Sequence, residues 1–159
     1  MSTTTIDLGE WLACLQDVLR DYAAKHLRFE AATAASPAPS TGPQPAAYVA
    51  IVGNDGSMYL GLASSMEGCR TLARAFLGLR QRDPLTDREA GDGMSEILNI
   101  LAGKVKSRMT ARDGSLRLGL PMFVMGPVGH AERTDRLEAD AKVGPVPCRL
   151  HVIRQQHAS

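Results

Sequence analysis

Residues 86–110 read TDREAGDGMSEILNILAGKVKSRMT, and the architecture turns on them. Thr86-Asp87-Arg88-Glu89 has the order of a capping box, in which a Thr hydroxyl and a Glu carboxylate each satisfy a backbone N–H that the first helical turn leaves unpaired. Met94, Ile97, Leu98, Leu101, Val105 and Met109 then recur at steps of three and four, the period of one helical face. The spacing predicts a long helix to about Thr110 with one buried stripe, and a buried stripe needs something to lie against.

Upstream, Leu8, Trp11, Leu12, Leu15, Val18, Leu19 and Tyr22 predict an amphipathic helix from Asp7 to about Ala24, followed by a short strand over Leu27–Thr33. Residues 34–47 carry Pro37, Pro39, Pro43 and Pro45 and read as a loop. Tyr48–Val52 and Met58–Ala63 flank Gly53-Asn54-Asp55-Gly56-Ser57, the signal of an antiparallel hairpin. Ser64-Ser65-Met66-Glu67 has a second capping-box spacing, ahead of a helix to about Leu79. After the long helix, Leu116–Val124, Glu132–Lys142 and Val146–Ile153 read as strands. Sequential strands with short turns make an antiparallel sheet, so the fold class is α+β: a sheet packed against two long helices plus an N-terminal helix. Residues 1–159 are expected to form one domain, with a tail at 154–159.

Composition narrows the function. Eighteen Lys and Arg balance 17 Asp and Glu, so nothing marks a nucleic-acid binder, and no apolar run is long enough to span a membrane. Cys14, Cys69 and Cys148 lie far apart and form no C-x-x-C, which disfavours a structural metal and suits a reducing, cytoplasmic setting with the thiols as small buried hydrophobes. His26, His130, His151 and His157 are dispersed and read as structural or solvent-facing.

One feature of the long helix is unusual. At 100° per residue the apolar stripe faces away from Glu96, Asn99, Ile100 and Gly103. Asn is a poor residue for a helix interior, and of the two in this chain Asn54 sits in a turn, which leaves Asn99 asking for a reason. Glu96 and Asn99 are neighbours at i and i+3; Gly103 removes a side chain one turn on, and Ile100 adds an apolar contact. A carboxylate beside an amide on a rigid exposed helix suits docking of a cation and hydrogen bonding to a water or phosphoryl oxygen. A solvated helix face with one indifferent Asn has the same spacing, and spacing alone leaves both readings open.

The segment Ser95–Lys104 resembles the signature helix of the CheC/CheX chemotaxis phosphatases, E-x-x-N followed by a small residue and Gly, with Glu96 and Asn99 at the two marked positions. The order of flanking elements is similar from about Ile6 to Ile153. Only Glu96, of all the glutamates, has Asn three residues later, and a single site favours the CheX type. The resemblance implies a CheC/CheX-like fold and hydrolysis of the aspartyl phosphate on a phosphorylated CheY-like receiver domain. Catalytic Asn99 would orient the attacking water and Glu96 would dock the receiver lysine, with Ile100 and Gly103 as partner contacts. The protein would need no cofactor of its own, Mg²⁺ coming from the receiver, and would be a cytoplasmic homodimer. Lys104, Lys106, Arg108 and Arg112 make the helix end basic, which suits either an acidic partner or the helix dipole. Gly91 and Gly93 depart from good helix composition, at about 1 kcal/mol each relative to Ala. The same face would also serve a non-enzymatic receiver-binding adaptor or a flagellar-switch-like structural module.

Overall fold

A computed structural model describes residues 6–35, 44–54, 56–125 and 134–155. Helix α1 spans Leu8–Tyr22; the Asp7 carboxylate caps it by accepting from the Gly9 N–H at 3.0 Å, and the seven apolar residues of the expected face are all buried. It runs on into a π-helical turn, Ala23–Leu27, closed by Arg28 in the left-handed region at φ 59°. Plain α spacing from Tyr22 would bring His26 to the core; the widened turn brings in Leu27 and leaves His26 exposed. Leu27 therefore ends a helix instead of opening a strand, and strand β1 is Ala31–Ala35.

Strands β2 (Ala46–Gly53) and β3 (Gly56–Ser64) form the expected hairpin, with Gly53 opposite Gly56 and Val49 opposite Leu60. Gly56 has φ 127°, which its missing side chain permits. Thus β2 begins inside the stretch read as a loop, of which residues 36–43 lie outside the described residues. Helix α2 (Met66–Leu77) is capped by Ser65, whose hydroxyl accepts from the Gly68 N–H at 3.0 Å. Ser64 is not the cap: it ends β3, and its buried hydroxyl donates to the Pro147 carbonyl at 2.8 Å. Gly78, at φ 72°, stops the helix two residues early and leaves Leu77 and Leu79 exposed.

Helix α3 (Asp87–Met109) has the capping box in full. The Thr86 hydroxyl accepts from the Glu89 N–H, and the Glu89 carboxylate from the Thr86 N–H, each at 3.1 Å. The single strand expected after it is two, β4 (Arg117–Leu118) and β5 (Met122–Val124), both beside β2. Pro121 has no N–H to continue the ladder, so pairing lapses after Gly119, which still donates to the Ala50 carbonyl at 2.7 Å. Strands β6 (Thr134–Val143) and β7 (Val146–Gln155) complete an antiparallel sheet in the order β1-β6-β7-β3-β2, with β4 and β5 sharing the far edge. β7 runs two residues into the stretch read as a tail; of the stretch Glu132–Lys142 read as a strand, Glu132 and Arg133 lie outside the described residues.

One face of the sheet carries Ala47, Val49, Ile51, Leu60, Leu62, Ala139, Leu150 and Val152, and these form one apolar cluster with the buried faces of the three helices. All six residues of the α3 stripe belong to it. Burying such side chains contributes about 1.5–3 kcal/mol each, which fixes the rotation of α3 about its axis and so decides which residues it shows to solvent.

Candidate functional site

The outward face of α3 is the candidate site. Glu96 is exposed, and Asn99, Ile100 and Gly103 are half-buried, while their neighbours Ile97, Leu98, Leu101 and Ala102 are almost wholly enclosed. Ile100 rests partly on the core cluster. The structure thus brings the four candidate residues together on one rigid helical face, Glu96 and Asn99 separated by about 4.5 Å along the axis. Among the described residues, no hydrogen bond or ion pair holds the side chain of Glu96 or Asn99. Both side chains are available to a second molecule: a carboxylate that attracts a cation, and an amide that donates and accepts.

The glycines of α3 divide into two kinds. A methyl group on Gly91 would lie 2.6 Å from the Phe123 ring of β5, and one on Gly93 2.7 Å from the Ala73 Cβ of α2. These two glycines let neighbouring elements close onto the helix, which accounts for their presence in its first half. A methyl group on Gly103 meets nothing within 4 Å. No contact within the described chain explains this residue, although glycine costs a helix interior about 1 kcal/mol relative to alanine.

The cysteines and histidines lie apart from these four residues in the sequence, and those that the structure describes have structural settings. Cys69 and Cys148 are buried, and burial pushes their thiols up to about 11 and about 12 respectively; half-buried Cys14 is also raised, chiefly by burial. Among the described residues no group of three His, Cys, Asp or Glu is arranged to hold a metal ion, and no helix is long and apolar enough to cross a membrane. His130 and His157 lie outside the described residues, and exposed His26 leans on the Tyr22 ring. His151, for which the sequence leaves a structural or a solvent-facing role, is buried. On the sheet face away from the helices its Nδ1 lies 2.9 Å from Glu138, which also pairs with Arg136 at 3.0 Å and Arg149 at 2.9 Å. Burial, with help from the two arginines and against Glu138, lowers His151 to about 4. The sequence signal was the opposition Glu138–His151 and Asp140–Arg149, visible only once the register of β6 on β7 is known.

Comparison with known proteins bears on the family and the fold. The family model "Chemotaxis phosphatase CheX" matches residues 46–139, more than half of the chain and all of α3. No curated protein matches the chain by sequence at a significant level. The chain is similar to the chemotaxis protein CheX from Vibrio vulnificus, with a TM-score of 0.75 and 12% identity over 92% of this chain and 99% of that one. It is similar to CheX in the CheX-CheY-BeF3-Mg+2 complex from Borrelia burgdorferi, with a TM-score of 0.70 and 18% identity over 96% of this chain and 100% of that one. A third neighbour is CheX from Desulfovibrio desulfuricans, with a TM-score of 0.69 and 13% identity over 94% and 100%. At such identities the structural likeness establishes a CheC/CheX-like fold. The match of the family model goes further: the chain belongs to the chemotaxis phosphatase CheX family.

Proposed function

We propose that this protein accelerates hydrolysis of the aspartyl phosphate on a CheY-like receiver domain. Water attacks phosphorus, the acyl phosphate P–O bond breaks toward the receiver aspartate, and inorganic phosphate leaves with the water's oxygen. Asn99 accepts a hydrogen bond from that water through its amide oxygen and holds it in line with the breaking bond; Glu96 pairs with the receiver lysine and sets the docking register. Ile100 and Gly103 form the contact around them. The receiver brings its own Mg²⁺, and neither Glu96 nor Asn99 forms a covalent bond. What is asked of them is positioning, the main currency of phosphoryl transfer. The reading includes a homodimer acting in the cytoplasm.

One observation carries this reading: two adjacent polar side chains without partners among the described residues, on the exposed side of a helix whose buried side is fully occupied. Membership of a phosphatase family and the CheY in the Borrelia complex support the choice of substrate. Decay of a phosphorylated receiver is to be followed with the wild-type protein, Asn99→Ala and Glu96→Ala. Asn99→Ala is expected to lower turnover on the order of 100-fold with little change in binding, since misplacing a reactant by about 1 Å has that effect. Glu96→Ala is expected to weaken docking as well. Equal acceleration by all three proteins would remove the mechanism, and tight phosphate-dependent binding with unchanged decay would make the protein an adaptor.

A further inference from the structure

The basic end of α3 does not present its charges in one direction. Lys104 and Arg108 bear on α1: Asp21 is held below the usual carboxylate range first by its bond to Lys25, then by Arg108 and Lys104, and Arg108 also lies beside the Cys14 thiol. Arg112 is ion-paired with Glu10, also at α1. Lys106 differs. At 100° per residue it lies within about 20° of Asn99, on the line that runs Glu96, Asn99, Gly103, Lys106. The residue is half-buried, and among the described residues no carboxylate lies within ion-pairing distance of its ammonium.

Scale and direction then matter. Lys106 lies about 10 Å along the axis from Asn99. A stable protein–protein interface covers about 800 Å² per partner, a disc of roughly 16 Å radius, so a domain centred on Glu96 and Asn99 reaches Lys106. The open space over Gly103 lies between the two and lets the partner come closest to the helix on that side. An ammonium covered by a partner without a matching acceptor would lose its hydration for nothing, so the covering surface must be acidic at that point.

Resting on the function proposed above, we infer that the receiver's footprint extends along α3 across Gly103 to Lys106, and that Lys106 selects a receiver bearing a carboxylate on the rim of its phosphorylation site. Lys106 is in this sense a positioning and specificity residue: it touches neither phosphorus nor the attacking water.

The test is the rate of phospho-receiver decay against concentration of the full-length protein at two ionic strengths, for wild type, Lys106→Gln, Lys106→Glu and Lys104→Gln. Lys106→Gln is expected to raise KM about three- to fivefold, as for loss of one solvent-exposed ion pair. Lys106→Glu should raise it tenfold or more, with kcat within twofold of wild type and the salt dependence of kcat/KM flattened. Lys104→Gln should leave KM unchanged. A receiver with a single surface Asp or Glu changed to Lys should restore the KM of Lys106→Glu, which a helix-stabilising role for Lys106 cannot explain. If wild type is active and Lys106→Glu keeps its KM and salt dependence, the inference falls while the phosphatase reading stands, and a lowered melting temperature in that variant would assign Lys106 to the helix dipole. If wild type gives no acceleration, both fall.

Discussion

Replacing Gly91 and Gly103 in turn by alanine makes the same chemical change on the same helix, with opposite expected results. Each substitution gains about 1 kcal/mol of helix propensity. At Gly103 nothing opposes the gain, because the new methyl group meets no atom within 4 Å, so the variant is expected to be more stable by 0.5–1 kcal/mol. At Gly91 the methyl group would lie 2.6, 3.0 and 3.1 Å from three carbons of the Phe123 ring, and the ring must retreat by about 1 Å. One of these carbons is Cγ, next to a backbone held opposite Ala47 on β2, so the side chain must shift as a whole and not merely turn its far edge. Overpacking of this kind costs about 1–3 kcal/mol, which leaves a net loss of up to about 2. The two variants should therefore differ by roughly 1–3 kcal/mol, or about 3–10 °C in melting temperature for a chain of this size. Thermal and urea unfolding of the full-length proteins measures it. Gly91→Ala proving as stable as Gly103→Ala would refute the assignment of close packing to one glycine and open space to the other. The phosphatase reading adds a second expectation: Gly103→Ala, although more stable, should dephosphorylate the receiver less well, because its methyl group stands where the partner approaches.

Three further outcomes follow from the local chemistry. Thr86→Ala removes the hydroxyl that accepts from the Glu89 N–H, while the backbone N–H of residue 86 can still donate to the Glu89 carboxylate, and is expected to cost about 1 kcal/mol by urea unfolding, with the candidate site about three turns away unaltered. Ser64→Ala should destabilise more than Ser65→Ala, by about 1 kcal/mol in unfolding free energy, because Ser64 is wholly buried and loses its bond to the Pro147 carbonyl where the chain encloses it, whereas Ser65 is an exposed cap. His151 is lowered from 6.5 to about 4, so on acidification the unfolded chain takes up its proton first. Stability should fall as pH drops from about 6.5 toward 4, by up to about 3 kcal/mol from this residue alone, and His151→Gln should lose less over the same interval; equal slopes in denaturation at pH 7 and pH 5 would contradict it.

Much of the fold was legible because its signals are local. The α1 face, the β2–β3 hairpin and the Thr86 box are each specified within a few residues, and each formed as expected. The misplacements occurred where two local signals competed and a distant contact decided. Ser64 and Ser65 are equally good caps by composition, and the partner that claims Ser64 is Pro147, 83 residues away. The π turn that swaps Leu27 for His26 answers to the core, not to any motif. Pro121 interrupts the ladder, but the apolar residues on both sides of it read in the sequence as one continuous strand. The purpose of Gly91 and Gly93 was hidden for the same reason: their partners, Phe123 and Ala73, lie on β5 and α2.

The candidate site was readable for the converse reason, since everything in it comes from one helix. Periodicity alone gives the direction of Glu96 and Asn99, and the apolar stripe then holds that direction without help from either residue. This arrangement separates stability from function along α3. Residues at 94, 97, 98, 101, 105 and 109 carry the packing, and the opposite face is free to keep a carboxylate, an amide and a glycine, the last two of them poor helix formers. The cost of keeping Asn99 and Gly103 together is on the order of 1–2 kcal/mol, small against what the six buried residues contribute. A site that is only half of an active centre, completed by the partner's own groups, needs a firm scaffold more than it needs perturbed side chains. On the phosphatase reading, that accounts for a candidate site marked by a polar pair and an unexplained glycine on a helix whose other side is full, and not by a shifted histidine or a reactive cysteine.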